Sequence, residues 1–179
     1  WTILPVILLS IGLIFFVKDT IAKKFLNQLQ GNGIFITKYF ADITADNILT
    51  KDIFTLQIMV HDFKNIRDDI VYIFIQDKEG KVLAHTFKKG FPLELKNANV
   101  LSPEQSYSTQ RLATEKGTIF DVASPVLDKA GVVHMGFSEQ HIEKEVDKIT
   151  KLGIGIAIII LIMGVGGAVV FATVITKPV

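Results

Sequence analysis

Four histidines, 18 acidic and 19 basic residues carry whatever chemistry this chain performs. None of them falls into a catalytic spacing. There is no G-x-S-x-G turn for a nucleophilic serine, no phosphate-cradling glycine loop, no paired-carboxylate signature and no H-E-x-x-H. Cysteine is absent, which excludes disulfides, thiolate metal sites and covalent haem attachment. His61 and His134 stand in no local metal-ligand spacing, so neither a metal nor a cofactor is expected. The residues point to binding, not to an enzyme.

His85, in the run Val82–Phe87, could donate to a ligand oxygen or titrate near neutral pH. The plainer alternative is an ordinary strand histidine at a domain rim. Asp121 lies among Ile119, Phe120, Val122 and Ala123. A carboxylate there is either satisfied and partly buried or holds a ligand ammonium. Thr86 beside His85, and Ser124 beyond Asp121, join the candidate ligand contacts, as does Arg111, for which a surface position is the alternative. Tyr107 closes the irregular segment Lys88–Thr109, which is long enough to act as a lid. Successive side chains of a strand point to opposite faces, so Met135 and Phe137 share one face, as core or pocket wall, and His134 takes the other.

The elements that must position these residues change period along the chain. Ile21, Phe25 and Leu29, then Ile36 and Phe40, then Phe54, Ile58 and Met59 give an apolar stripe at helical spacing up to about Ile70. Breaks fall in Thr44–Lys51, with Thr50 expected to cap a new helix. From Val71 the run Val71–Ile75, the polar turn Gln76–Lys81 and the run Val82–Phe87 read as a β-hairpin. Arg111–Thr114, Gly117–Leu127 and Val132–Ser138 read as three more strands. Glu139–Lys151 is charged and helix-prone. The order predicts an α+β fold, in which an antiparallel sheet of about five strands is backed on one face by a long helix and left free on the other.

Charge is confined to the middle of the chain. Every acidic residue, every histidine and all basic residues but Lys177 lie between Lys18 and Lys151. That block has no net charge and no basic stripe, so nucleic acid is not an expected partner. Trp1–Val17 and Leu152–Ile175 are apolar, and a membrane crossing needs about 20 apolar residues. The first exceeds a signal-peptide core and no A-x-A-like site follows it. We expect transmembrane helices at 1–17 and 152–175 around a water-facing domain at 18–151. The chain opens on a tryptophan, so residues are expected upstream. Small residues in the apolar stretches (Ser10 and Gly12; Gly153, Ala157, Gly164 and Ala168) suit close helix packing and a homodimer.

The hairpin Tyr72–His85 and the block Ser124–Phe137 resemble the single Cache family of extracytoplasmic sensor domains. The shared pattern is D-x-x-G, an apolar pair and a histidine, followed by Pro-Val, a turn and Gly-Val-Val-x-x-Gly. The resemblance covers roughly residues 18–151. It implies a PAS-like fold and the sensing region of a bacterial receptor, either a sensor histidine kinase or a chemoreceptor. It also implies a two-pass protein of the inner membrane, with the sensor on the extracytoplasmic side. Thr176-Lys177-Pro178 resembles the entry to a HAMP linker, so 176–179 would begin a cytoplasmic relay. Family members of the citrate and dicarboxylate type bind ligand with Arg-x-x-His and a further arginine. The histidine is matched by His85, while Val82 and Asp121 occupy the arginine positions. The resemblance therefore implies a monocarboxylate or an amine-bearing ligand. The rival reading is a membrane-anchored scaffold with no small-molecule ligand.

Overall fold

The computed structural model describes residues 3–115 and 117–175. Helical spacing in the first part of the chain becomes α1, Ile3–Leu49. Its buried stripe is Leu29, Thr37, Phe40, Ala41, Thr44, Ala45 and Ile48, at intervals of three and four that keep one face inward. Two threonines in that stripe satisfy their hydroxyls locally: Thr37 Oγ1 donates to the Gly33 carbonyl and Thr44 Oγ1 to that of Phe40, both at 2.7 Å.

α1 ends at Leu49, and Lys51 turns the chain with φ 55°. The cap of α2 (Ile53–Asn65) is Asp52, which corrects the expectation for Thr50. Asp52 accepts from the Thr55 backbone N–H at 3.1 Å and from its hydroxyl at 2.7 Å, while Thr50 Oγ1 donates back to Asp46. The rings of Phe40 and Phe63, 4.5 Å apart, join α1 to α2.

Five antiparallel strands follow: β1 (Ile70–Asp77), β2 (Val82–His85), β3 (Ser108–Thr114), β4 (Gly117–Pro125) and β5 (Gly131–Ser138). Their spatial order is β2-β1-β5-β4-β3. Gly80 and Gly117, at φ 74° and 110°, take the turn positions that a Cβ would strain. The segment between β2 and β3 is not wholly irregular as expected, because Pro92 starts a 3₁₀ turn at Leu93–Asn97.

Residues paired across antiparallel strands share a face. Ile73 pairs with Met135, Ile75 with Val133 and Val122 with Met135, and all five are fully buried. This is the helix face. A Cβ on Gly33 of α1 would fall 3.1 Å from the Phe137 ring, and one on Gly131 would fall 3.3 Å from Ile48. Small residues thus let α1 and the sheet approach closely.

Phe25–Ile142 form one compact unit, and the outer segments of the chain form a second. α3 (Glu139–Ile175) follows β5 without a break. Among the described residues no helix is long and apolar enough to cross a membrane. The first apolar stretch begins outside that set, at residues 1 and 2, and the expected linker start at 176–179 lies outside it.

Candidate functional site

A bulge in β1 between Ile70 and Tyr72 decides what the other face carries. Ile70 pairs with Phe137 on the helix face, and the register shift sends Tyr72 to the opposite side, against Gly136. Phe74 and Gln76 of β1 follow it, with His134 of β5, Ile119 and Asp121 of β4, and Leu112 of β3.

Asp121 is the centre of this face and is 1% exposed. An ionised carboxylate only accepts hydrogen bonds, and here protein donors surround it. Tyr72 Oη donates to Oδ2 at 2.6 Å, and Asn99 Nδ2 donates to Oδ1 at 2.7 Å. His134 Nδ1 stands 3.3 Å from the same Oδ1. Asn99 also donates to the backbone carbonyls of Asp121 and Ser108, both at 3.3 Å. Burial, then the Asp121 charge, then their hydrogen bond hold the Tyr72 phenol far above its ordinary pKa. A buried charge is tolerated when it is fully bonded, and Asp121 is. Of the two alternatives for this residue, the satisfied carboxylate is the one observed, which corrects the idea of a group open to a ligand ammonium.

Aromatic rings build the rest of the face. His134 stacks flat on Phe74, with centroids 4.3 Å apart and planes 5° apart. Phe91, from the segment after β2, meets Phe74 edge-on at 4.9 Å and Phe87 at 5.7 Å. The His85 ring lies 5.8 Å from Phe91, and its Nδ1 is buried without a hydrogen-bond partner among the described residues. Gln57 of α2 fixes the His85 backbone, accepting from its N–H at 3.2 Å and donating to its carbonyl at 2.7 Å.

Residues 88–107 cover this face, and Asn99 ties them down to Asp121. At the Gln76 end they leave a cavity of about 350 Å³. Gln76, Asn99 and His134 line it, and among the described residues Lys78, Lys96 and Lys129 stand at the wall against one carboxylate, Asp77. Gln76 Nε2 donates to the Lys96 carbonyl at 3.2 Å, a second tie between sheet and cover.

The structure separates the residues singled out from the sequence. His85 and Asp121 lie on the open face. Met135, Phe137 and Ser124 belong to the helix face, where the first two are fully buried, so they meet the core and not a ligand. Arg111 pairs with Phe120 on that same side, with Nε 2.8 Å from Glu139 Oε1. Thr86 Oγ1 is committed to the Ile73 backbone. Tyr107 is 42% exposed and does not line the cavity, and Phe91 is the aromatic that anchors the cover. Tyr72, Asn99 and Gln76 are additions. The polar tyrosine in an apolar strand was the available signal for the first, whereas Asn99 had none. Among the described residues no group of three or more histidines and carboxylates is placed to hold a metal.

No curated protein gives a significant match to this chain. Residues 21–151 match the family described as single Cache domain 3, a span that contains the whole helix-backed sheet. The chain belongs to that single Cache family, whose domains are non-catalytic sensors of small molecules.

Proposed function

We propose that this chain is the sensing and signalling region of a bacterial membrane receptor. A small monocarboxylate binds beneath residues 88–107, and the resulting shift passes along α3. The observation that carries this is the covered cavity at the Gln76 end, where among the described residues three lysines outnumber one carboxylate and polar groups converge from sheet and cover. A single anionic group suits Lys96 and the neighbouring lysines, while a dicarboxylate would lack the paired guanidinium forks that bind such ligands well.

Signalling needs the ligand to favour one arrangement over another. Asn99 offers the means, because it belongs to the cover and is bonded to β4, which pairs with β5, the strand that leads into α3. The membrane part is supported by the charge pattern: nothing between Leu152 and Ile175 is charged, and neither is anything before Lys18. In this proposal residues 18–151 lie on the extracytoplasmic side, the apolar segments contact lipid, two copies pair through small residues of those segments, and a cytoplasmic relay begins at 176–179.

The test is a thermal-shift panel on the full chain in detergent, with acetate, propionate, lactate, pyruvate, succinate, citrate, glycine and alanine. A ligand at 100 times its Kd adds about 2.7 kcal/mol, which moves the midpoint by roughly 4 °C or more. A monocarboxylate that stabilises the native chain but not Lys96→Gln is the expected result. A blank panel on folded protein, or a citrate response that survives Lys96→Gln, contradicts it. The blank would favour a scaffold that binds another protein.

A further inference from the structure

We infer that the open face holds a second site, independent of the carboxylate site, for an organic cation with an apolar body. At the Tyr72 end of β1, away from Gln76, the covering residues leave another cavity, of about 590 Å³. Its floor is apolar and aromatic: Tyr72, Phe87, Leu112 and Ile119 line it. Its charged groups are all of one sign. Asp68, Glu94 and Glu115 stand around it, and among the described residues no lysine, arginine or histidine does.

The two cavities are thus opposite in charge on one sheet face. The Gln76 end gathers Lys78, Lys96 and Lys129, and the Tyr72 end gathers three carboxylates from the segment before β1, the cover and the β3–β4 turn. An anion entering the second cavity would meet these carboxylates and, among the described residues, no lining cation. A neutral apolar molecule would gain the floor and nothing from the rim. An amine on an aromatic or branched aliphatic body gains both, because its body is removed from water against Leu112 and Ile119 while its ammonium faces the carboxylates. The Tyr72 ring is a fixed wall for it, since its hydroxyl is held by Asp121 and its ring lies 5.4 Å from that of Phe87. Ligand pockets span roughly 300–1,000 Å³. The volume here admits a drug-sized amine.

The position gives the site a consequence. Ser138, the last residue of β5, and Gln140, in the first turn of α3, both line the cavity. An occupant therefore touches the residues through which the sheet passes into the exit helix, whereas the carboxylate cavity reaches that helix only through the sheet.

The experiment uses the full chain in detergent and a matched pair of probes, 2-phenylethylamine and 3-phenylpropionate. Binding is followed by methyl NMR at Leu112 and Ile119. The amine is expected to shift these methyls saturably, and the carboxylate to bind at least roughly fivefold more weakly, as expected from screened contacts with exposed carboxylates. Raising the salt should weaken the amine alone. The double variant Glu94→Gln/Glu115→Gln, at exposed positions that leave the fold unchanged, should narrow the difference between the probes. Ile119→Trp should fill the floor and abolish amine binding, and Lys96→Gln should leave it intact. Equal binding of the two probes, loss of amine binding in Lys96→Gln, or no methyl shift at millimolar amine would each overturn the inference. Equal binding or an absent methyl shift would leave the carboxylate site untouched, whereas loss of amine binding in Lys96→Gln would place the amine in that site instead.

Discussion

Gly136→Ala should dismantle the centre of the site without touching a polar group. A Cβ at Gly136 would fall 2.5 Å from both Cε1 and Cζ of Tyr72 and 3.0 Å from Cγ2 of Ile119. Carbon atoms settle at about 3.5–4.0 Å, so the Tyr72 ring must retreat by about 1 Å. Its hydroxyl now stands 2.6 Å from Asp121 Oδ2, and O–H···O bonds fade beyond about 3.0 Å. The bond is therefore lost. Overpacking costs about 1–3 kcal/mol, and a hydrogen bond to a charged partner contributes about 1.5–3 kcal/mol. The two overlap because one movement relieves the first by sacrificing the second, so a total of about 3–4 kcal/mol is expected. Thermal unfolding of the full chain, followed by circular dichroism, measures it. The same substitution in a Tyr72→Phe background isolates the hydrogen bond, and the cycle should show a coupling of about 1.5 kcal/mol or more. A loss below about 0.5 kcal/mol, or strict additivity with Tyr72→Phe, would refute the reasoning.

Three further outcomes are expected. The folded-state pKa of Tyr72 is raised above its ordinary 10.0, so the stabilisation linked to its neutral form is complete below that pH and is lost as pH rises beyond it. The native chain should therefore lose stability more steeply than Tyr72→Phe above pH 10.0 in unfolding measured across the alkaline range. Asp52 has the opposite sign: hydrogen bonds from the Thr55 side chain and backbone lower its pKa from 3.8, so Asp52→Ala should be less stable than the native chain at neutral pH, and the gap should close as pH falls through the folded-state value. Arg111→Gln should leave monocarboxylate affinity unchanged and cost at most about 1 kcal/mol, because the arginine is half exposed and faces Glu139 on the helix side.

Much of the fold was legible because its signals are local. The β-branched run at Val71–Ile75, the glycine at position 80 and the alternation along Val132–Phe137 specify strands and turns within a few residues. Alternation even separated His134 from Met135 and Phe137. It could not say which face the helices cover, because that depends on where α1 meets the sheet at Gly33 and Gly131, contacts remote in sequence. Met135 and Phe137 were for that reason open between core and pocket, and Arg111 could not be placed on the helix side. The bulge before Tyr72 is a second case. A strict two-residue period would put Tyr72 with Ile70 in the core, and only the register shift brings its hydroxyl to Asp121. Asn99 was illegible for a different reason. It sits in a stretch of asparagines, prolines and serines without periodicity, and its partner Asp121 is 22 residues away. Thr50 and Asp52 are both good capping residues two positions apart. The turn at Lys51 decides between them, and a sequence does not display a φ of 55°.

The central claim is that a small molecule binds under residues 88–107 on the open face of the sheet. The absence of cysteine makes it directly testable, because one introduced thiol is a unique label. Val100 is 70% exposed on the cover at the cavity wall, and Ile58 is 46% exposed on α2. A fluorophore on Val100→Cys of the full chain should respond saturably to the stabilising monocarboxylate, with the Kd found by thermal shift, and lose that response in Lys96→Gln. The same fluorophore on Ile58→Cys should remain silent. A silent Val100 label with a responsive Ile58 label would place binding on the helix side and contradict the claim.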